Sequence, residues 1–491
     1  MNAQISRLAL VGLALMVALI LGTTYWQAWA SAGLADRQDN AIQRVAQFTV
    51  KRGLIYAGDG RTLLATNVRK QVGGQTLYFR RYPNGRLAPE VVGYSTQSRS
   101  QAGLERSYND YLTGSNSNLS TVFHTAIDRL KGVTVTGNDL YTTIDPRAQR
   151  LANRLLAGKC AAAVALEPST GKVYVLASSP SYDPNLVEKN FAQITRSGGA
   201  CKPASPLFDR ATQGLYAPGS TFKVVTASAA LDTGRFTPDS TFFDPGYCVE
   251  YGQKVFNAGN PDQTGPESFG TVSLTTALQH SINAVFCKIG QALGAGPIVD
   301  YMKRYGFYSV PPLETPIDER AASGRYKGHR LDRSTSDADP GRLAFGQERL
   351  LVTPFQMAMV AAAIANHGVV MRPHVVDKIL SPNRGILTRR HPEKLGRAIK
   401  PETASELTTM MEAVVTGGTG TAAQIPGIQV AGKTGTAETG IPHQYNAWFI
   451  AFAPADHPRV AVAVVVENGG FGGRTAAPIA KAIMQAILRR G

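Results

Sequence analysis

Four short apolar runs limit most strongly how this 491-residue chain can fold. Ala161–Leu166 and Val173–Ser178 are joined by Glu167-Pro168-Ser169-Thr170-Gly171-Lys172, which reads as a hairpin. Ala447–Ala453 and Val460–Val466 lie far downstream, near the C-terminus, and are equally strand-like. Helical stretches fill the interval at Thr221–Leu231, Leu274–Leu293, Pro297–Tyr305, Pro354–Ala365 and Pro401–Val415. Asp145-Pro146 caps a helix running to about Leu156, and Ala476–Leu488 closes the chain as an apolar-faced helix. Strands at both ends with helices between them make an α+β pattern, in which the terminal segments share one antiparallel sheet. Pro311–Arg342, rich in charge, Pro and Gly, reads as a surface loop system. No internal repeat is present.

The N-terminus sets the compartment. Leu8 to Gly22 is apolar without a charge, and Thr23-Thr24-Tyr25-Trp26 extends it to a bilayer-spanning length. Tyr25, Trp26 and Trp29 sit where an interfacial aromatic belt belongs. Arg7 precedes the span and Asp36 and Asp39 follow it, so the expected topology is a single-pass anchor in the cell membrane, with the bulk of the chain extracytoplasmic. The competing reading is a cleaved signal peptide, because Ala28-Trp29-Ala30 resembles a processing site. The net charge of +16 suits anionic partners or a solvated basic surface. Without a zinc-finger spacing, an RNA-binding signature or a basic run, nucleic acid is not expected.

Ala30 to Val45 is polar and reads as a helical stalk. From Phe48 to about Asn138, short β-like runs (Phe48–Val50, Gly53–Tyr56, Thr76–Arg80, Val91–Tyr94) alternate with turn residues, and Asp59-Gly60 between Leu54-Ile55 and Leu63-Leu64 is a hairpin signal. This gives three parts: anchor 1–30, a small β-rich pedestal 31–139, and a larger domain of mixed α and β character, 140–491. Cys160, Cys201, Cys248 and Cys287 follow the anchor, where disulfides persist. Three pairings are possible; Cys160–Cys201 with Cys248–Cys287 is the expectation, and buried free thiols are the alternative. No C-x-x-C occurs, so neither a metal nor a cofactor is expected.

The chemistry centres on Pro218-Gly219-Ser220-Thr221-Phe222-Lys223. A serine hydroxyl needs a nearby base to become a nucleophile. Ser220 and Lys223, at i and i+3, share one helix face. A lysine acts as base only when burial or a second cation destabilises its ammonium. S-x-x-K alone is weak: Ser169-Thr170-Gly171-Lys172 matches too, but in a hairpin turn. S-x-N occurs as Ser107-Tyr108-Asn109, Ser281-Ile282-Asn283 and Ser381-Pro382-Asn383, and only the second adjoins an apolar helix. Lys433-Thr434-Gly435-Thr436 occurs once. Ser281 follows Ser220 by 61 residues and Lys433 follows Ser281 by 152.

That ordered trio resembles the signature of penicillin-binding proteins and serine β-lactamases. Ala165 to Lys172, Ser181 to Asn185, Arg210 to Lys223, Gly346-Gln347 and Thr353 to Ala358 extend the resemblance through the catalytic part. Arg52-Gly53-Leu54-Ile55, Gly103-Leu104-Glu105 and Tyr111-Leu112-Thr113-Gly114 resemble the pedestal of class B penicillin-binding proteins, the short pedestal being most similar to the actinobacterial A type. The resemblance implies an antiparallel sheet with helices on both faces, an all-α lobe, and a D,D-transpeptidase acting on peptidoglycan stem peptides and acylated by β-lactams. It implies Ser220 as nucleophile, Lys223 as base, Ser281 as proton relay, Asn283 as a holder of Lys223 and the substrate amide, and Lys433 as a source of positive potential. The N–H groups of Ser220 and Thr436 form the implied oxyanion hole, with Thr434, Gly435 and Thr436 at the substrate carboxylate. A D,D-carboxypeptidase or β-lactamase and a non-catalytic scaffold are the rivals. With about 110 residues between anchor and catalytic domain there is no room for a glycosyltransferase, so a separate SEDS-family glycan polymerase is the implied partner. His443 and Glu438 read as loop and turn residues, Gln347 as either a floor of the site or a turn, and Met357, Met359, Met410 and Met411 as core.

Overall fold

The computed structural model describes residues 2–25, 48–97, 100–115, 134–196, 201–257, 267–326, 328–331, 338–347, 349–441 and 444–489. The expected stalk, the Ala28-Trp29-Ala30 motif and His443 lie outside the described residues. Helix α1 spans Asn2–Thr24 and exposes Leu13, Met16, Leu19 and Leu21. Among the described residues no helix is long and apolar enough to cross a membrane.

The pedestal is built on a six-stranded sheet ordered Ile386–Arg389, Val376–Leu380, Asp139–Thr142, Ile55–Tyr56, Leu63–Val72, Gln75–Arg81. The Asp59-Gly60 hairpin forms, with Asp59 Oδ1 accepting from the N–H groups of Arg61 and Thr62 at 3.0 and 2.8 Å. Three expectations are corrected. Leu63–Val72 is a ten-residue strand, of which only Leu63-Leu64 stood out by composition. Val91–Tyr94 is not a strand: Pro89, whose ring presets a helical φ, opens a turn of helix at Pro89–Val92, and Gly93 at φ 72° ends it. Phe48 lies in a helical turn. Two pedestal motifs meet in one ion cluster. Buried Glu105 bridges Arg52 Nη2 at 3.0 Å and Arg80 Nε at 2.7 Å.

In the catalytic part, α2 (Pro146–Leu156) starts on Asp145, whose carboxylate accepts from Arg147 N and Ala148 N. Strands β1 (Ala161–Leu166) and β2 (Val173–Ser179) follow. Then come α3 (Lys223–Asp232), α4 (Leu274–Gln279), α5 (Asn283–Leu293), α6 (Pro354–Ala365) and α7 (Pro401–Gly417). The chain closes with β3 (Ala431–Glu438), β4 (Tyr445–Ala453), β5 (Val460–Val466) and α8 (Gly472–Leu488). The strands form one antiparallel sheet ordered β3-β4-β5-β1-β2, so the two terminal pairs join through β5 and β1.

Both faces of this sheet are covered, which is why its strands read as continuous apolar runs. Trp448, Ile450, Phe452, Ala463, Val465 and Val164 face the core that α6 covers on one side. Phe449, Val462, Val464, Ala163 and Ala165 pack with α2 and α8 on the other. Each large side chain buried this way contributes about 1.5–3 kcal/mol. Met357, Met359, Met410 and Met411 are buried in the core. Both expected disulfides, Cys160–Cys201 and Cys248–Cys287, are formed.

The predicted helix Leu274–Leu293 is two helices. It breaks at His280–Ile282, where Ser281 takes φ 62° and the side chain of Asn257 caps the second helix by accepting from Ala284 N at 2.8 Å. A left-handed serine carries about 1–2 kcal/mol of backbone strain, and such residues cluster at functional sites.

Candidate active site

Ser220 lies in a single 3₁₀ turn, Gly219–Phe222, that runs straight into α3 at Lys223. Gly219 must be glycine: its φ is 52°, and an added Cβ would stand 3.1 Å from Ala437 and from Thr436 O on β3. Gly346 supports the same turn from below. Its φ is 78°, its carbonyl accepts from Gly219 N at 3.1 Å, and a Cβ there would reach 2.3 Å from Gly219 O. The Gly346-Gln347 block thus acts through its glycine, while Gln347 donates its N–H to Arg342 O. Ser220 is half-buried, and its Oγ has no hydrogen-bond partner among the described residues.

Lys223 is fully buried and reaches across to the α4–α5 break. Its Nζ donates to Ser281 O at 2.5 Å and Asn283 Oδ1 at 2.8 Å, lies 3.3 Å from Ser281 Oγ, and sits 5.3 Å from the ring centre of Phe286. The turn that strains Ser281 brings its hydroxyl between two lysines. Lys433 Nζ approaches the same oxygen at 2.9 Å from β3. Burial, and then the neighbouring Lys433, push the Lys223 ammonium well below the ordinary lysine range. Burial alone brings Lys433 down to about 7. Both shifts make the neutral amine easier to reach at each lysine than it is in water.

Lys433 is where it must be because β3 pairs with β4 in register, Lys433 opposite Ile450 and Gly435 opposite Trp448. A slip of one residue would turn Lys433 away from Ser281. Thr436 O lies on the Gly219 side of β3. In an antiparallel strand a residue's N–H and C=O face the same way, so Thr436 N–H also faces the Gly219–Phe222 turn. Thr434 Oγ1 lies 3.4 Å from Lys433 Nζ and meets Thr419 Oγ1 at 2.6 Å, the latter a partner that the sequence does not reveal. Gly435 allows β3 close to the turn, since a Cβ would stand 2.9 Å from Thr221 Cγ2 and 3.0 Å from Pro218 O.

The other candidates separate cleanly. Ser169 is exposed and Lys172 pairs with Asp377 at 3.5 Å, so the second S-x-x-K is structural. Asn109 accepts from Arg52 in the pedestal, and Ser381 closes a turn by accepting from Gly385 N. Glu438 is exposed at the end of β3 rather than in a turn.

Comparison with known proteins places the chain in a family. Residues 161–485 match the penicillin binding protein transpeptidase domain, and residues 52–140 match the penicillin binding protein A dimerisation domain. The chain is 36% identical over 518 aligned positions to a peptidoglycan D,D-transpeptidase PbpA of Mycolicibacterium smegmatis, covering 100% of both chains. It is 31% identical to the peptidoglycan D,D-transpeptidase MrdA of Acinetobacter baumannii over 83% of this chain and 66% of that one. Penicillin-binding protein A from M. tuberculosis, in an acyl-enzyme complex, superposes with a TM-score of 0.80 at 34% identity, covering 90% of this chain and 100% of that one. The mixed α+β frame that carries these residues is therefore that of a class B member of the penicillin-binding protein transpeptidase family, to which this chain belongs.

Proposed function

We propose that Ser220 is the residue through which this chain performs its family's peptidoglycan D,D-transpeptidase reaction. The observation that carries the assignment is the buried Lys223–Ser281–Lys433 arrangement, one helical turn from the only half-exposed hydroxyl in the trio's first motif. Ser220 Oγ attacks the carbonyl of the penultimate D-alanine while its proton passes to Lys223 Nζ. The oxyanion is held by the N–H groups of Ser220 and Thr436, the latter facing the turn from β3. Collapse releases the terminal D-alanine, whose amine takes a proton through Ser281 Oγ. Asn283 keeps Lys223 in place, and Lys433 disfavours a second charge. Thr434, Gly435 and Thr436 line the strand edge along which the substrate carboxylate lies. An amine from a neighbouring stem peptide then attacks the ester, forms the cross-link and frees Ser220.

We extend the proposal to the chain's setting. The apolar sequence 8–22, helical within α1, anchors the chain with its catalytic domain outside the membrane. Strands Ile55–Tyr56, Leu63–Val72, Gln75–Arg81 and Asp139–Thr142 belong to the pedestal sheet, which supports a separate SEDS-family polymerase as the supplier of the glycan. Incubating the full chain with a labelled penicillin tests the core assignment. Stoichiometric label on Ser220 with slow release supports it; rapid turnover indicates a β-lactamase; absence of label overturns the acyltransferase reading.

A further inference from the structure

Between the sheet and the nucleophile turn lies a buried polar network outside the catalytic trio. Arg210 is fully buried, and its Nε binds Glu467 Oε1 at 2.9 Å. The same carboxylate oxygen accepts from Tyr216 Oη at 2.8 Å. Tyr216 meets Trp448 edge-to-face, ring centres 6.2 Å apart, and Trp448 Nε1 donates to Ala217 O at 3.0 Å. Ala217 begins the Ala217-Pro218-Gly219-Ser220 turn. Tyr216 also exchanges both backbone hydrogen bonds with Val352, at 2.9 and 2.8 Å.

The far end of the network is fastened as well. Glu467 N donates to Cys160 O at 2.8 Å, and Arg210 Nη2 donates to Pro203 O at 2.6 Å. Cys160 and Cys201 are joined by a disulfide, so both carbonyls sit beside one covalent clamp. Arg210 Nη1 is buried without a partner among the described residues. A buried guanidinium with an unsatisfied donor weakens a fold unless something is gained from it.

We infer that Tyr216, Arg210 and Glu467 are positioning residues for acylation, holding the Ala217–Ser220 turn at its distance from β3 through Trp448. None of them touches the reacting atoms. They act by fixing the backbone on which Ser220 N–H and Oγ are carried. A misplacement of that backbone by about 1 Å lowers reaction rate much more than it lowers affinity. The network therefore governs the acylation step and leaves noncovalent binding of the inhibitor along β3 unchanged.

The test is time-resolved acylation of the full chain by a fluorescent penicillin, resolving the rate constant of acylation from the dissociation constant of the preceding complex. Tyr216→Phe removes one hydroxyl and keeps the ring on Trp448. The control is Tyr182→Phe, which also deletes one buried tyrosine hydrogen bond, to Pro89 O at 3.1 Å, away from the turn. We expect Tyr216→Phe to slow acylation about tenfold, with the dissociation constant within about twofold and a thermal midpoint like that of the control. Glu467→Gln, which keeps an acceptor oxygen for Tyr216, should retain more of the acylation rate than Glu467→Ala. An unchanged acylation rate in Tyr216→Phe, an equal loss in Tyr182→Phe, or a loss confined to the dissociation constant would overturn the inference. Label still appears on Ser220 in every variant if the transpeptidase assignment holds, so failure of one claim is distinguishable from failure of the other.

Discussion

Ser281 shows what one residue is made to do. Its φ of 62° is strained for any side chain but glycine, and the strain sets its hydroxyl between Lys223 and Lys433. Ser281→Gly and Ser281→Ala both lose the hydroxyl, yet only glycine relaxes the backbone. Glycine should unfold at higher denaturant than alanine by about 0.5–1 kcal/mol, while both acylate poorly. Lys223→Ala should lower acylation by about 10²–10⁴-fold in the labelled-penicillin assay. The pH profile follows from the shifts. Because the Lys223 pKa is lowered, the free base persists below the ordinary lysine range, and acylation falls only as acid finally protonates it. Replacing Lys433 by Gln removes one cause of that lowering, so the acid limb of acylation against pH should move to higher pH. A limb that stayed put or moved lower would contradict the coupling between the two amines.

At the scale of elements, the site is the meeting of a turn, a helix break and an edge strand. β3 is the edge of its sheet, so one side of its backbone is open toward the turn. Glycines set the approach distance. Gly346→Ala forces a φ of 78° on a side chain and drives a Cβ to 2.3 Å from Gly219 O, far inside van der Waals contact. It should reduce acylation severely and lower stability by about 1–3 kcal/mol, read from the rate of labelling and from thermal unfolding. Much of this was legible beforehand. The sheet strands, α3, α6, α7 and the S-x-x-K, S-x-N and K-T-G residues stood in the sequence because apolar runs and motif spacings are local. The break between α4 and α5 did not, because the helical pattern continues through His280–Ile282 and only a capping side chain from Asn257 and two distant lysines make the interruption favourable. The strand Leu63–Val72 was largely missed because its outer half is polar and exposed.

At the scale of the whole molecule, the pedestal is joined to the catalytic domain through buried acids. Glu90 accepts from Ser181 Oγ at 2.6 Å, and burial, then Asp209, raise its pKa to about 8. Burial raises Asp209 to about 6 and Glu319 to about 7, the latter bound to Gly103 N. A carboxyl with a raised folded pKa binds more protons folded than unfolded, so stability falls as pH rises between its unfolded and folded values. For Glu90 that window runs from about 4.5 to about 8. Calorimetry should show the thermal midpoint dropping across it, and dropping less in Glu90→Gln. The Cys160–Cys201 bond closes a 41-residue separation. Removing it should cost about 4 kcal/mol by loop entropy, measurable by denaturant unfolding.

The sequence by itself determined the fold class, the choice of Ser220, Lys223, Ser281 and Lys433 as site candidates, and the apolar N-terminal run, because each depends on residue type and short spacing. Tertiary structure alone decided that Val376–Leu380 and Ile386–Arg389 complete the pedestal sheet, that Ser281 takes a left-handed turn, and that Arg210 and Tyr216 both bind Glu467. These are contacts between segments far apart in the chain. No local pattern announces them, since a buried arginine or a strained serine becomes favourable only once its distant partners have been brought to it.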